Sequence, residues 1–194
     1  MTDRNANVMI GWTIAISWVV ASLIAAVTGR GLAPEEQPAV KYYALGLHAF
    51  SRGPFVVHLF AYSFIHGIGA HLLFNLLALW IVVRLAQGHV TPAGLVRLYS
   101  LGSLATGLIY VLVSWRLNNH MPLIGAGGPL MAVIGAMAVL NPSKEMALYA
   151  GVNGVFQLLG LASSPNLALG MIAGLIAGLL YGCVERLVMA WNVR

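Results

Sequence analysis

Few residues in this chain can do chemistry, and those few are grouped. His71 and Asn75 stand four positions apart inside an otherwise apolar stretch. That spacing places them on one helix face, and an ionisable or amide group at membrane depth faces the protein interior. His66 lies five residues before His71, about 140° around a helix, which is not the spacing of an HExxH zinc pair. His71 and Asn75 either satisfy each other and nearby backbone, or touch something that binds. Cys183 is the single cysteine, so neither an intrachain disulfide nor a CxxC motif exists. No Walker or Rossmann glycine pattern points to a nucleotide.

A second group of residues is built for packing. Gly170, Gly174, Gly178 and Gly182 repeat every four positions and form one narrow ridge. Gly128, Ala132 and Ala136 offer a matching row of small residues. Faces of this kind let helices approach closely where lipid supplies no hydrophobic drive between them.

The elements that must position these groups are membrane spans. The chain has 194 residues, of which 60% are hydrophobic and only 8% charged, with a mean hydropathy of +0.87. Soluble domains carry roughly 25% charged residues, and apolar surface beyond one small core needs lipid to cover it. Disorder, collagen and a disulfide scaffold are excluded. The net charge of +5 reads as topology, and no nucleic-acid partner is expected.

Uncharged stretches, measured against the roughly 20 residues that cross a bilayer, predict an all-α bundle of six spans at about 8–28, 68–86, 92–114, 127–140, 144–161 and 167–190. The first reads as a signal anchor, because no small-x-small cleavage site follows it. Pro54 to Ile65 reads as a membrane-edge segment ahead of the second span. Thr91-Pro92 supplies an N-cap with proline at the first helical position. Pro129 and Asn141-Pro142 confine an unusually short fourth span. Ser143 caps the fifth, and Ser163-Ser164-Pro165-Asn166 divides it from the sixth. The connection 29–57 is the one long loop and is expected on the outer side. Six of the ten Lys/Arg fall on the inner side of an N-in chain, Arg4, Arg84, Arg97, Lys144, Arg186 and Arg194, which favours both termini inside. Trp12 and Trp18 of the first span are expected at the surface, as partner contacts or lipid-interface anchors. A single domain covers 1–194.

Three islands of the sequence, in order, resemble the rhomboid intramembrane serine proteases. FIHGIGAHLLFNLLALW, holding His66, His71 and Asn75, is similar to the motif of their second helix. GAGGPLMAVIGA at 125–136 resembles the GxSG segment that opens their short fourth helix. GMIAGLIAG at 170–178 resembles their final AHxxGxxxG segment, and Glu185 falls where they often carry an acidic residue. The resemblance implies a six-helix rhomboid-like bundle, no cofactor, a lipid bilayer as surroundings, and a location in the plasma membrane of the bacterial inner-membrane kind with cytoplasmic termini. It casts His71, Asn75, Gly125 and Gly128 in an oxyanion-type or client-binding role, and His66, Gly170, Gly174 and Gly178 in structural ones.

The chain departs from the pattern at both dyad positions, with Gly127 where the motif has serine and Met171 where it has histidine. The Trp-Arg pair of the first loop is also missing, its place taken by Val57-His58. Glycine has no side-chain hydroxyl, and a thioether cannot act as a base near neutral pH. Loss of a catalytic-triad member leaves only roughly 10³ to 10⁴ over the uncatalysed rate, negligible for a peptide bond. Ser100, Ser103 and Ser114 lie on the third span, away from the motif. His71 activating a water lacks a second group to help it.

The first expectation is therefore a rhomboid-like pseudoprotease that grips transmembrane helices of clients, or a subunit or assembly factor of a membrane complex. The alternative is a rhomboid intramembrane serine endopeptidase with a substituted or non-standard dyad. A third reading is a soft-metal or haem site built from His71 and Met171, although a methionine on an apolar helix is more often packing.

Overall fold

Local chemistry starts and stops the helices. The Thr91 hydroxyl accepts from the Gly94 N–H at 3.1 Å and Pro92 follows at the first helical position, so one orphan donor is satisfied and one is missing by design. Ser143 does the same for the Met146 N–H at 3.1 Å. At the far end of the helix begun by Pro92, Asn118 turns the chain with a φ of 50°, a conformation asparagine tolerates better than most residues.

The computed structural model describes residues 3–29, 42–47, 54–66 and 70–192. Besides helical residues at 42–43, the α-helices found there are α1 Asp3–Gly29, α2 Phe55–Ala61, α3 Ala70–Ala86, α4 Pro92–Arg116, α5 Gly127–Leu140, α6 Lys144–Ser163 and α7 Pro165–Asn192. A 3₁₀ turn, Tyr62–Phe64, follows α2. No strand occurs among the described residues, only an isolated antiparallel bridge between Leu45 and Leu123. The predicted start of the second span at Ile68, and the parts of loop 29–57 at 30–41 and 48–53, lie outside the described residues.

Among the described residues, three stretches are long and apolar enough to cross a membrane, Asn5–Ile24, Pro92–Arg116 and Pro165–Trp191. Their outer faces are apolar: Trp12, Ile16 and Leu23 on α1, and Ile176, Leu180, Val184 and Leu187 on α7, are exposed. In water such stripes would drive aggregation, whereas in lipid they are the ordinary outer surface.

α5 is different. Its 14 residues span only about 21 Å, short of a roughly 30 Å hydrocarbon core. Every residue from Gly128 to Met137 is buried, so neighbouring helices enclose it. Small residues make this possible. β-carbons added at Gly174 and Gly182 would sit 2.6 and 2.9 Å from the carbonyl oxygens of Gly128 and Ala136 on α5, and one at Gly178 would collide with the Ala132 carbonyl. Gly135 returns the contact from α5, its missing side chain making room for the Leu175 carbonyl of α7. Gly170 meets α4 instead, where an added β-carbon would lie 3.1 Å from the Thr106 carbonyl oxygen.

Trp18 corrects an expectation: it is fully buried, whereas Trp12 is exposed. The two are six residues apart, about 120° around the helix, so one faces lipid when the other faces in. The Trp18 indole donates to the Tyr99 hydroxyl at 3.1 Å, and that hydroxyl donates to the Ser63 carbonyl at 3.1 Å. Its ring lies 4.8 Å from that of His66. A buried indole N–H needs such a partner, and the relay ties α1 and α4 to the 3₁₀ turn. Replacing Trp18 by phenylalanine is expected to destabilise the protein by about 1–3 kcal/mol, through a smaller ring and a broken relay. Thermal unfolding in detergent micelles checks this, and an unchanged midpoint would refute it.

Candidate functional site

The site begins where the chain enters α5. The Gly125 N–H donates to the Tyr62 carbonyl at 3.0 Å, and the Ala126 N–H donates to Nε2 of buried His66 at 3.2 Å. Nε2 accepts, so the His66 imidazole is neutral with its proton on Nδ1. His66 therefore fastens the segment before α5 to the membrane-edge element. Gly125 has a φ of +98°, which L side chains rarely adopt. A β-carbon there would also lie 2.5 Å from Nε2 of His71. Glycine thus admits both the turn and the imidazole that covers it.

The His71 ring packs edge-on against His66, centroids 5.3 Å apart. Asn75 does not bond that ring. Its amide donates back to the His71 backbone carbonyl at 2.9 Å, leaving one N–H and the carboxamide oxygen for other partners.

Behind this turn lies a cavity of about 160 Å³ between α3, α5, α6 and α7, lined in part by Asn75, Gly127, Met131, Tyr149, Asn153 and Met171. Three of the predicted residues meet here, Asn75, Gly127 and Met171. His71 does not line the cavity but stands beside it, over Gly125. Gly128 points the other way and packs against the Thr106 side chain of α4. Gly170, Gly174 and Gly178 lie along the α7 surface described above.

Gly127 and Met171 touch. A β-carbon at Gly127 would collide with the Met171 methyl, and the thioether sulfur would be 3.6 Å from it. The methionine side chain thus occupies the space that any side chain at 127 would enter. Gly127 is the first residue of α5, where the backbone N–H has no intrahelical acceptor. The cavity therefore presents hydrogen-bonding groups from amides and the Tyr149 phenol, two thioethers and apolar walls, with no hydroxyl at 127 and no imidazole at 171. Among the described residues no cluster of three His, Cys, Asp or Glu side chains is placed to hold a metal.

The family described as the Rhomboid domain matches residues 54–188, well over half of the sequence. The chain belongs to the rhomboid family. No curated protein matches it. This rhomboid-family chain is an integral membrane protein, and among its described residues the fold is helical, with three long apolar helices accompanying shorter ones. The match runs from Pro54 to Val188, so it takes in α2, the His66–Gly125 turn and the α5–α7 contact that frame the rhomboid cavity.

Asn153 and Tyr149 were not singled out from the sequence. The signal for Asn153 was present nonetheless: a carboxamide in the middle of an apolar helix, the same sign that marked Asn75.

Proposed function

We propose that this rhomboid-family protein is a catalytically inactive, six-span membrane protein that binds transmembrane helices, either of clients or of partner subunits in a membrane complex. One observation carries the reading: at the positions that resemble the family's serine and histidine, a glycine and a methionine stand in direct contact, and the methionine methyl fills the space a nucleophilic side chain would need. A serine protease needs an oxygen nucleophile and a base within hydrogen-bond reach. This pair supplies neither.

The carbonyl-gripping half of such an apparatus is supported by what surrounds the pair. The Gly127 N–H at the start of α5, the remaining Asn75 N–H and the nearby His71 imidazole are donors suited to a backbone carbonyl of a locally unwound helix. His66 and Gly125 are positioning residues, holding the turn and the His71 ring. The excess of Lys/Arg on one side of the spans supports an orientation with both termini in the cytoplasm, in a plasma membrane of the bacterial inner-membrane kind.

The protein reconstituted in liposomes, offered transmembrane substrates and a serine-directed fluorophosphonate probe, is expected to show neither cleavage nor labelling. A photocrosslinker placed at Tyr149, in the cavity wall, is expected to capture transmembrane segments. Labelling or cleavage would overturn the inactive assignment, and failure to capture any transmembrane segment would overturn the binding one.

A further inference from the structure

A larger cavity, about 500 Å³, lies along the last turns of α4 and is lined by Leu47, Phe55, Leu108, Val111, Leu112 and Trp115. It shares no lining residue with the cavity around Gly127 and Met171. Leu108, Val111, Leu112 and Trp115 follow the i, i+3, i+4, i+7 spacing of one helix face, so the groove runs parallel to α4 for about 10 Å. Val111 is buried and belongs to the cluster that holds Leu45, Leu59 and Tyr62, with Leu47 and Phe55 packed against it. Leu108, Leu112 and Trp115 are exposed along the rim. Apart from the indole N–H, none of the six side chains carries a polar atom, so whatever fills the groove is apolar along its length.

The two ends of the groove differ. At the C-terminal end of α4 the guanidinium carbon of Arg116 stands 5.1 Å from the centroid of the Trp115 ring. Tryptophan gathers at the membrane–water interface, and arginine near a helix end carries its charge there. That end therefore lies at headgroup level, and the groove descends from it by about 10 Å, within the roughly 15 Å depth of one leaflet. A transmembrane helix crosses both leaflets, whereas an acyl chain starts at the headgroups and ends near the midplane. A cation–π contact also leaves guanidinium N–H groups for oxygen acceptors, and their fork matches a phosphate.

We propose that this groove is a lipid site, holding one acyl chain of an anionic phospholipid whose phosphate pairs with Arg116 beside Trp115. The chain is flanked on one side by α4 and on the other by Leu47 and Phe55, so more of its surface is in van der Waals contact than against a convex helix. The positive charge of Arg116 favours a headgroup of net negative charge over a zwitterionic one, in which a cation accompanies the phosphate. The site stands apart from the transmembrane-helix binding proposed above and does not depend on it.

The test uses the intact protein in liposomes that contain a trace of phosphatidylglycerol or phosphatidylcholine with the same photoreactive acyl chain, and the adducts are mapped by peptide mass spectrometry. Adducts at Leu108 and Leu112 are expected to be several-fold denser than at Ile16 and Val20 of α1, which are comparably exposed. Phosphatidylglycerol is expected to label the groove about 3-fold to 5-fold more than phosphatidylcholine, the size of effect one basic residue gives near an anionic surface. Arg116→Gln is expected to bring the two headgroups to parity while the groove stays labelled. Leu112→Trp, which fills the groove, is expected to abolish the excess at Leu108, and unchanged labelling of α1 reports that both variants fold. A photoreactive side chain at position 112 is expected to capture phospholipid. Groove labelling in wild type no denser than that of α1, an excess that survives Leu112→Trp, or capture of a protein segment from position 112 would overturn the lipid site. Equal labelling by the two headgroups in wild type, or a preference that survives Arg116→Gln, would overturn the pairing with Arg116.

Discussion

Replacing Gly178 with valine is expected to separate α5 from α7 and to cost the protein about 3 kcal/mol or more. The β-carbon alone would overlap the Ala132 backbone carbonyl, and a backbone atom in a buried helix cannot swing aside as a side-chain tip can. Either α7 retreats, or α5 shifts against α4, where Gly102 already lies so close that its β-carbon would be 2.8 Å from the Pro129 Cα. Overpacking of this kind costs typically 1–3 kcal/mol and occasionally more. Here the displacement propagates along a ridge that also holds Gly174 and Gly182, so the upper end applies. A control comes from α6, where β-carbons at Gly151 and Gly154 meet nothing within 4 Å. Alanine at either is expected to be neutral or mildly stabilising, since glycine is the poorer helix former by up to about 1 kcal/mol. Unfolding in mixed micelles, read by tryptophan fluorescence, ranks the three variants. A Gly178→Val protein as stable as Gly151→Ala would show that the α5–α7 contact is looser than described.

The glycine ridge was legible because its signal is exclusion. Four glycines at a strict spacing leave a groove whatever the solvent, and the partner row on α5 follows from the same rule. Helix ends at Thr91-Pro92, Ser143 and the break at Ser164 were legible for a similar reason, as caps and prolines act locally. Trp18 was not legible. In water an apolar residue points inward by default, but in lipid both faces of a span are apolar, so composition does not distinguish core from surface. Its burial depends on Tyr99 and Ser63, more than forty residues away. The separation of His71 from Asn75 was hidden too. Helical spacing puts the two on one face, yet the ring turns toward Gly125 and His66 while the amide enters the cavity. The chemistry absent at 127 and 171 could be read from residue types. That Met171 fills the resulting space could not, because two positions 44 residues apart meet only through the α5–α7 packing.

The contact between those two positions makes their substitutions interdependent. Gly127→Ser alone drives its β-carbon into the Met171 methyl, and Met171 yields by rotating its flexible stem into the cavity. A moderate loss of stability is expected, on the order of 1 kcal/mol. Met171→Ala alone removes the methyl and leaves an enlarged void, at about 2–3 kcal/mol. Combined, the two are expected to cost less than their sum, with a coupling of about 0.5–2 kcal/mol, because the serine enters space the alanine has vacated. Additive losses would mean that the two side chains do not compete for one volume. The chemical counterpart uses Gly127→Ser with Met171→His. A hydroxyl without a base, or a base without a hydroxyl, lacks the proton transfer that makes the oxygen a nucleophile. Neither single variant is therefore expected to react with a fluorophosphonate above the wild-type background. The double variant places both groups where the side chain at 171 already reaches the backbone at 127, and labelling is expected in it alone, on residue 127 by peptide mapping. Labelling of Gly127→Ser alone would show that another base serves the cavity, with the His71 imidazole over Gly125 as the candidate, and labelling of the wild type would remove the inactive assignment altogether.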